Sequence, residues 1–291
     1  MSVQSFNEAV IEEFRANAGK VGGPFEGAGL VLLTTTGARS GQEHTVPLGF
    51  VREPDGEQLL VVASAAGADR HPAWFHNLLA HPLVRVETGT EEYGAVAMPA
   101  AGARRAELFA HVVRQEPGYG EYQQRTEREI PVVVLQRTHE TASGEDGVAG
   151  KLLEVHGWLR AQLGHVRREA RDHVAAGGGG PAPLGLQLRQ HCLAFCQSLE
   201  FHHTSEDAGL FPYLASQHPH LAAFFERLAR EHRVVSGLQE EIVQLLDQVG
   251  EGEGAGAGIV ERLEVMSREL EGHLDREEEQ LLPVLRALGA P

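Results

Sequence analysis

The residues best suited to chemistry lie in the second half of the chain, where histidine recurs at core-facing spacing. Apolar residues three and four apart mark the buried stripe of a helix. The first such stripe runs Leu152, His156, Leu159, Leu163 and Val166, and the second runs Leu188, Cys192, Phe195, Leu199, His202 and Glu206. The third contains Leu221, Phe225, Leu228, His232, Val235, Ile242 and Leu246, and the fourth Ile259, Leu263, Met266, Leu270, His273 and Glu277. Each stripe thus carries a histidine. In His202/Glu206 and His273/Glu277 a carboxylate follows one turn later, on the same helix face. An unpartnered buried carboxylate costs roughly several kcal/mol. Four imidazoles and two carboxylates aimed at one core therefore need a common partner, and a pair of metal ions satisfies them together. With no thiolate required, the donors suit iron or manganese in a bundle core.

The elements that must position these groups are four long helices, near 151–174, 184–215, 219–249 and 259–288. They are separated by AAGGGGPAPLG, the Gln217–His218–Pro219 turn and GEGEGAGAG, so an up-down four-helix bundle is expected over 151–291. His165, His173, His191, His218 and His220 fall off the stripes or in turns and read as surface residues. Residues 138–150, THETASGEDGVAG, are polar and glycine-rich and read as a linker. Residues 1–137 have a different texture. A short amphipathic helix over 1–17 carries Phe6, Val10, Ile11 and Phe14. The runs GLVLLTTTG, TVPLGFV and QLLVVAS follow, split by the turn signals GARSG and EPDGE. Then come PAWFHNLLA, a helix opened by Pro72, strand-like VRVETG and EYGAVAMPA, helical ARRAELFAHVVRQ, and a last strand in IPVVVLQR. Short strands mixed with helices predict an α+β domain with a barrel or compact sheet.

Length and charge narrow the functions. A chain of 291 residues fits two domains. A net charge of -16 argues against nucleic acid and against an anionic membrane surface as partners. No apolar run approaches a membrane span and no secretory leader is evident, so a cytoplasmic location is expected. Cys192 and Cys196, four apart, have poor geometry for a disulfide within one helix. They read as small buried hydrophobes in a reducing compartment.

In the first half, residues 34–50 suggest an anion site. A strand ends in a Gly/Ser loop bearing Arg39, Ser40 and His44, a good phosphate cradle, although a plain hairpin turn has the same composition. At Ser64 a glycine-rich loop with Arg70 meets a helix N-terminus, another place that favours anions.

Two family resemblances extend these readings. The order His, His-x3-Glu, His, His-x3-Glu, with HHTSEDAGLFP, REH and HLDREEEQLLP around it, resembles the hemerythrin/HHE cation-binding family from about Lys151 to Leu288. That resemblance implies two non-heme irons held by His156, His202, Glu206, His232, His273 and Glu277, with the two glutamates as bridges. Oxygen-carrying hemerythrins place two ligating histidines one turn apart on the third helix, whereas Leu228 and Ser236 flank His232 here. One iron therefore has fewer protein ligands or recruits His203 or Glu231. His203, beside the stripe, is taken with the ligand set.

The segments TTGARSG, TVPLGF, VVAS, RHPAWFHNLLAHPLVRVE and YQQRTEREIPVVVL resemble, in order, the deazaflavin-dependent nitroreductases of actinobacteria. The resemblance implies a split β-barrel like that of flavin reductases and use of reduced coenzyme F-420 to reduce quinones or nitroaromatics. FMN in its place stays open. It further implies that Arg39, Ser40 and His44 hold the phosphate or acidic tail, that Pro47, Leu48 and Ser64 meet the ring, that Arg70 and Asn77 add polar contacts, and that Tyr122 faces the acceptor. His44 departs from the arginine common in that loop. Barrels of this type pair, so a homodimer is expected.

Together these readings describe a fused oxidoreductase whose bundle binds or reduces O2, NO or peroxide. The alternative is a di-iron sensor of oxygen, NO or iron in which the barrel is the regulated or cofactor-binding module.

Overall fold

A computed structural model describes residues 3–27, 29–56, 58–89, 91–138, 147–175, 182–247 and 255–288. The chain divides into two compact units, Met1–Glu140 and Thr141–Pro291.

The first unit is a closed antiparallel barrel of strands β1 (Leu30–Thr36), β2 (Glu43–Arg52), β3 (Leu59–Val62), β4 (Leu83–Thr88), β5 (Glu91–Pro99) and β6 (Val132–Arg137), in the order β1-β2-β3-β6-β5-β4. Closure gives each of these strands a neighbour on both sides. Side chains alternate between the two faces of each strand. On β1, Val31 and Leu33 therefore enter the barrel core, whereas Leu30 and Leu32 meet Val10 and Phe14 of helix α1 (Val3–Ala16). Helix α2 (Ala73–Ala80), with Pro72 just before its first turn, adds Trp74, Phe75 and Leu78 to the core. Helices α3 (Gly102–Gln115) and α4 (Gly118–Gln124) lie between β5 and β6 in the chain. The sequence reading has no counterpart for α4, because GYGEYQQ offers no apolar stripe.

The second unit is the bundle. Helix α5 (Gly147–Ala175) starts inside the segment read as a linker, whose residues 139–146 lie outside the described residues. Helix α6 (Ala182–Ser205) continues through a π-helical turn, Glu206–Leu210, into α7 (Phe211–Gln217), and α8 (Ala222–Asp247) and α9 (Ala255–Leu288) complete the bundle. The glycine-rich connections at 176–181 and 248–254 lie outside the described residues. Helix α5 packs on α6 and α9, and α8 packs on the same two, so the four long helices form a closed ring.

The π turn has a local cause. Pro212 has no N–H, and its ring clashes with a carbonyl four residues back in a regular helix. The helix widens just before it, and Phe211 N–H donates to Glu206 C=O five residues earlier.

Along the bundle, one apolar layer contains Leu159, Leu163, Phe195, Leu199, Val235 and Leu270. Another contains Leu152, Phe211, Leu214, Phe225, Leu228 and Leu281. The histidines and glutamates of the stripes fall between these layers in every helix. Cys192 and Cys196 are buried free thiols in the first layer, as their apolar surroundings suggested. No helix among the described residues is long and apolar enough to cross a membrane.

Candidate functional site

The polar layer of the bundle brings together seven side chains from four helices. His156, His203, Glu206, His232, His273 and Glu277 are buried, and the His202 side chain is 9% exposed. Their potential ligand atoms converge in two groups, His203/His232/His273 and His156/His202/Glu206/Glu277. The two carboxylates span both groups. Glu206 Oε1 lies 3.4 Å from His202 Nε2 while its Oε2 lies 3.7 Å from His232 Nε2. Glu277 Oε2 lies 3.5 Å from both His156 Nε2 and His273 Nε2. The structure places His203, rather than Glu231, among the inward imidazoles. Its ring stacks on His232 with centroids 3.9 Å apart.

The outer nitrogens fix the tautomers of three rings. His156 Nδ1 donates to Glu278 Oε1 at 2.8 Å, His232 Nδ1 to Asp207 Oδ1 at 3.0 Å, and His273 Nδ1 to Glu231 Oε2 at 3.0 Å. An ionised carboxylate only accepts, so each Nδ1 carries the proton and each Nε2 presents a lone pair. Yet His232 Nε2 and His273 Nε2 face one another at 3.1 Å. Two lone pairs at that distance repel, and no proton of a neutral ring lies between them. A cation shared by both removes the conflict.

The same demand arises from the atoms with no partner. Both oxygens of Glu206, both oxygens of Glu277 and both nitrogens of His203 are buried without a hydrogen bond. Such groups are rare in a folded core and call for an ion or water. Electrostatics agrees. Burial, then the neighbouring Arg160, holds His156 down at about 3. Burial, then His156, holds His202 at about 2, and burial sets His273 at about 4. Burial likewise lowers His203 and His232. All five imidazoles are neutral at pH 7, the form that ligates metal. Burial raises both glutamates, and for Glu206 the charge of Glu277 adds to the effect. Binding to cations would reverse that cost.

Sequence reasoning missed two of the three outer carboxylates, Asp207 and Glu278, and offered Glu231 only as a candidate metal ligand. Each directly follows or precedes a stripe residue, which is the only signal that could have found them. The surface reading of the remaining histidines fails for two of them, because His173 and His191 are buried.

In the barrel the expected cofactor residues form two clusters. At the end of the β1–β2 hairpin, Ser40 Oγ lies 3.4 Å from His44 Nε2, and Gln42 N–H donates to Ser40 Oγ at 3.2 Å. Asn77 ties this hairpin to α2, accepting from Ala38 N–H and donating to Thr35 Oγ1, both at 3.1 Å. Its amide is thus engaged in holding the loop. Arg39 and Arg70 are exposed on their loops.

The second cluster surrounds the turn after Ser64. Ala65, Ala66 and Gly67 all have positive φ, at 46°, 53° and 82°, which costs energy for the two alanines. Arg128 clamps this turn. Its guanidinium donates to the carbonyls of Ala63, Ser64 and Ala68 at 3.1, 2.6 and 2.7 Å, and it meets His71 Nδ1 at 3.0 Å. Helix α4 closes on the turn, since a Cβ on Gly67 would lie 2.9 Å from the Tyr122 carbonyl. Tyr119 of α4, absent from the sequence reading, sets its hydroxyl against Gly49 of β2.

One sequence expectation meets a geometric limit. Leu48 packs against the barrel core, whereas Pro47 pairs with Leu32, whose side chain faces α1. By strand alternation these neighbours point to opposite faces, so their two side chains cannot both lie against one ring.

Comparison with known proteins assigns a family to each unit. Residues 8–137 match the F420H(2)-dependent quinone reductase family, and residues 148–285 match the hemerythrin HHE cation binding domain. The chain is 40% identical over 128 residues to an F420H(2)-dependent quinone reductase of Mycobacterium tuberculosis, a match covering 43% of this chain and 85% of that protein. A putative F420H(2)-dependent quinone reductase of the same species is 31% identical over 106 residues, covering 36% of this chain and 87% of its own. Among solved structures, an F420-H2 dependent reductase is 38% identical, covers 37% of this chain and 93% of that one, and superposes with a TM-score of 0.34.

Proposed function

The chain belongs to the F420H(2)-dependent quinone reductases through its first unit and carries a hemerythrin HHE domain in its second, and from that premise we propose that it is a two-centre oxidoreductase. In this reading the barrel binds reduced coenzyme F-420 and serves a quinone or nitro-type acceptor. The bundle holds two non-heme irons and binds or reduces O2, NO or peroxide. The observation that carries the bundle half is the His232–His273 pair, two Nε2 lone pairs 3.1 Å apart with both outer nitrogens already donating to carboxylates.

When bound, the deazaflavin supplies a hydride and the irons supply Lewis-acid and one-electron chemistry. The protein supplies placement. His203, His232 and His273 would hold one metal, His156 and His202 would hold the other, and Glu206 and Glu277, which face both groups, would be shared between them. The outer carboxylates lock three imidazoles in the ligating tautomer. In the barrel, Arg39, Ser40 and His44 would hold the phosphate or the acidic tail. Pro47, the main chain at Leu48, and Ser64 flank the ring, and Arg70 adds a cation. Asn77 acts by holding the hairpin. Tyr122 would face the acceptor, with the proton supplied by Tyr122 or by water.

The test measures both centres in one preparation. Two irons per chain by elemental analysis, together with anaerobic oxidation of reduced F-420 by a quinone, is the expected result. His232→Ala should lose iron and keep the quinone reaction. Iron retained in that variant would remove the bundle half of the reading, and no oxidation of F-420 by the wild type would remove the barrel half.

A further inference from the structure

Away from the seven-residue layer, α5 and α6 share a second convergence of ligating groups. His165 and Glu169 stand four apart on α5, the same His-x3-Glu unit that recurs at His202/Glu206 and His273/Glu277. His191 reaches them from α6. The Glu169 carboxylate accepts from His191 Nδ1 at 2.5 Å, and its other oxygen lies 3.5 Å from His165 Nε2. The two imidazoles meet edge to face, with centroids 4.5 Å apart. One ligand atom from each residue lies within 4.8 Å of the others.

We propose that His165, Glu169 and His191 form a separate site for a divalent transition cation of the Zn2+ class, which clips α5 to α6. An interhelical hydrogen bond accounts for His191 and Glu169 alone. It does not account for His165, which turns its Nε2 toward the same carboxylate at a distance too long for a good hydrogen bond. The ligand atoms of a tetrahedral ion with bonds of about 2.0–2.2 Å stand roughly 3.3–3.5 Å apart. The His165–Glu169 separation of 3.5 Å matches that spacing, and the Glu169–His191 pair needs to open by under about 1 Å. Two imidazoles and one carboxylate leave a fourth position for water, a donor set suited to Zn2+ and its neighbours.

Burial is graded to match. His191 is 9% exposed, Glu169 21% and His165 42%, so the site is anchored inside the bundle and open to solvent on the α5 side. Its cation is therefore exchangeable. The site is also independent of the seven-residue layer. Nine residues of α5 separate His165 from His156 and eleven of α6 separate His191 from His202, about 14 and 16 Å along the helices. The two sites share no ligand.

The probe is Zn2+ itself, added to the full chain already loaded with iron and followed by equilibrium dialysis with zinc and iron measured in the same sample. One zinc per chain beyond the bundle metal is expected, with the iron count unchanged and the helical melting temperature raised. His165→Ala and Glu169→Gln should each weaken zinc binding at least tenfold and abolish the rise in melting temperature. His191→Ala should do the same, and if it does not fold the half-exposed His165 decides the matter. No additional zinc in the wild type, or zinc retained in His165→Ala, overturns the proposal. The iron count reports separately on the bundle centre, so failure of one site cannot be mistaken for failure of the other.

Discussion

Replacing Glu277 by Gln should stabilise the bundle without metal and destabilise it with metal. Glu277 is fully buried, Glu206 is 4% exposed, and none of their four oxygens has a hydrogen-bond partner. In the metal-free chain, burial raises both carboxyls above the usual value of 4.5. A raised folded pKa contributes stability that is fully present below about pH 4.5 and is lost as pH rises through the folded value. At pH 7 the wild type bears that loss and the amide does not. An unsatisfied buried polar group costs about 1–3 kcal/mol, and the amide retains part of this, so the gain is about 1 kcal/mol. For a unit of about 150 residues this raises the melting temperature by roughly 3 °C. With metal present, the same substitution removes a carboxylate that faces His156 and His273 from both groups, and the melting temperature falls. The assay is circular dichroism at 222 nm on chelator-treated and iron-loaded full-length protein at pH 7, for wild type and variant. A decrease of equal size in both forms would refute the reasoning, because it would make Glu277 an ordinary packing residue.

Three further outcomes follow from the same geometry. In the Glu206→Gln/Glu277→Gln background the histidines alone should govern acid sensitivity: with His156 held at about 3 and His273 at about 4, the stability of the metal-free bundle is full above about pH 6.5 and lost as pH falls through that value toward the folded ones. A melting temperature that stays constant from pH 7 to pH 5 in that background would contradict it. Glu278→Gln, Asp207→Asn and Glu231→Gln each release one ligating imidazole from its tautomer lock and should lower iron affinity about 10–100-fold in competition with a chelator, with helical content kept. Arg128→Ala frees the Ala65–Gly67 turn from its three-carbonyl clamp and should raise the KM for reduced F-420 about tenfold or more, with the iron count unchanged.

The bundle and most of its centre were legible because burial and chemistry disagree at the same positions. A histidine on one apolar stripe means little, but one on each of four stripes has no apolar explanation. His203 was harder to place. Adjacent residues on a regular helix point about 100° apart, so His202 and His203 should not both face inward. In the bundle, however, His202 turns toward His156 of α5 and His203 toward His232 of α8, the two helices packed on α6, so both imidazoles enter the layer. The stripe test failed for His191, which it assigned to the surface, because it looks for apolar neighbours and the partner of His191 is Glu169. In the barrel the strands were legible from β-branched runs. Helix α4 was not, and with it went Tyr119, since seven polar and glycine residues acquire helical order only by packing on the turn after Ser64. Strand alternation, available from sequence, could already have separated Pro47 from Leu48.

The charges around the metal layer explain why it can hold cations in an acidic chain without becoming a general acidic patch. Glu278 is paired with Arg160, and Glu231 with both Arg227 and Arg276. Those pairs, together with Asp207 at His232, form an outer ring in which Glu278 and Glu231 face guanidinium groups and Asp207 faces an imidazole, with Arg160 shared between Glu278 and Asp275. The ring orients the imidazoles, and its arginines offset much of its carboxylate charge. Inside it stand five neutral imidazoles and the carboxyls of Glu206 and Glu277, the two groups that reach both halves of the site. Cations bound there would be neutralised in part by the two glutamates, with apolar layers on either side of the site. Losing an arginine such as Arg160 would therefore leave the metal ligands in place and still change the centre, by letting the charge of Glu278 be felt inside the ring.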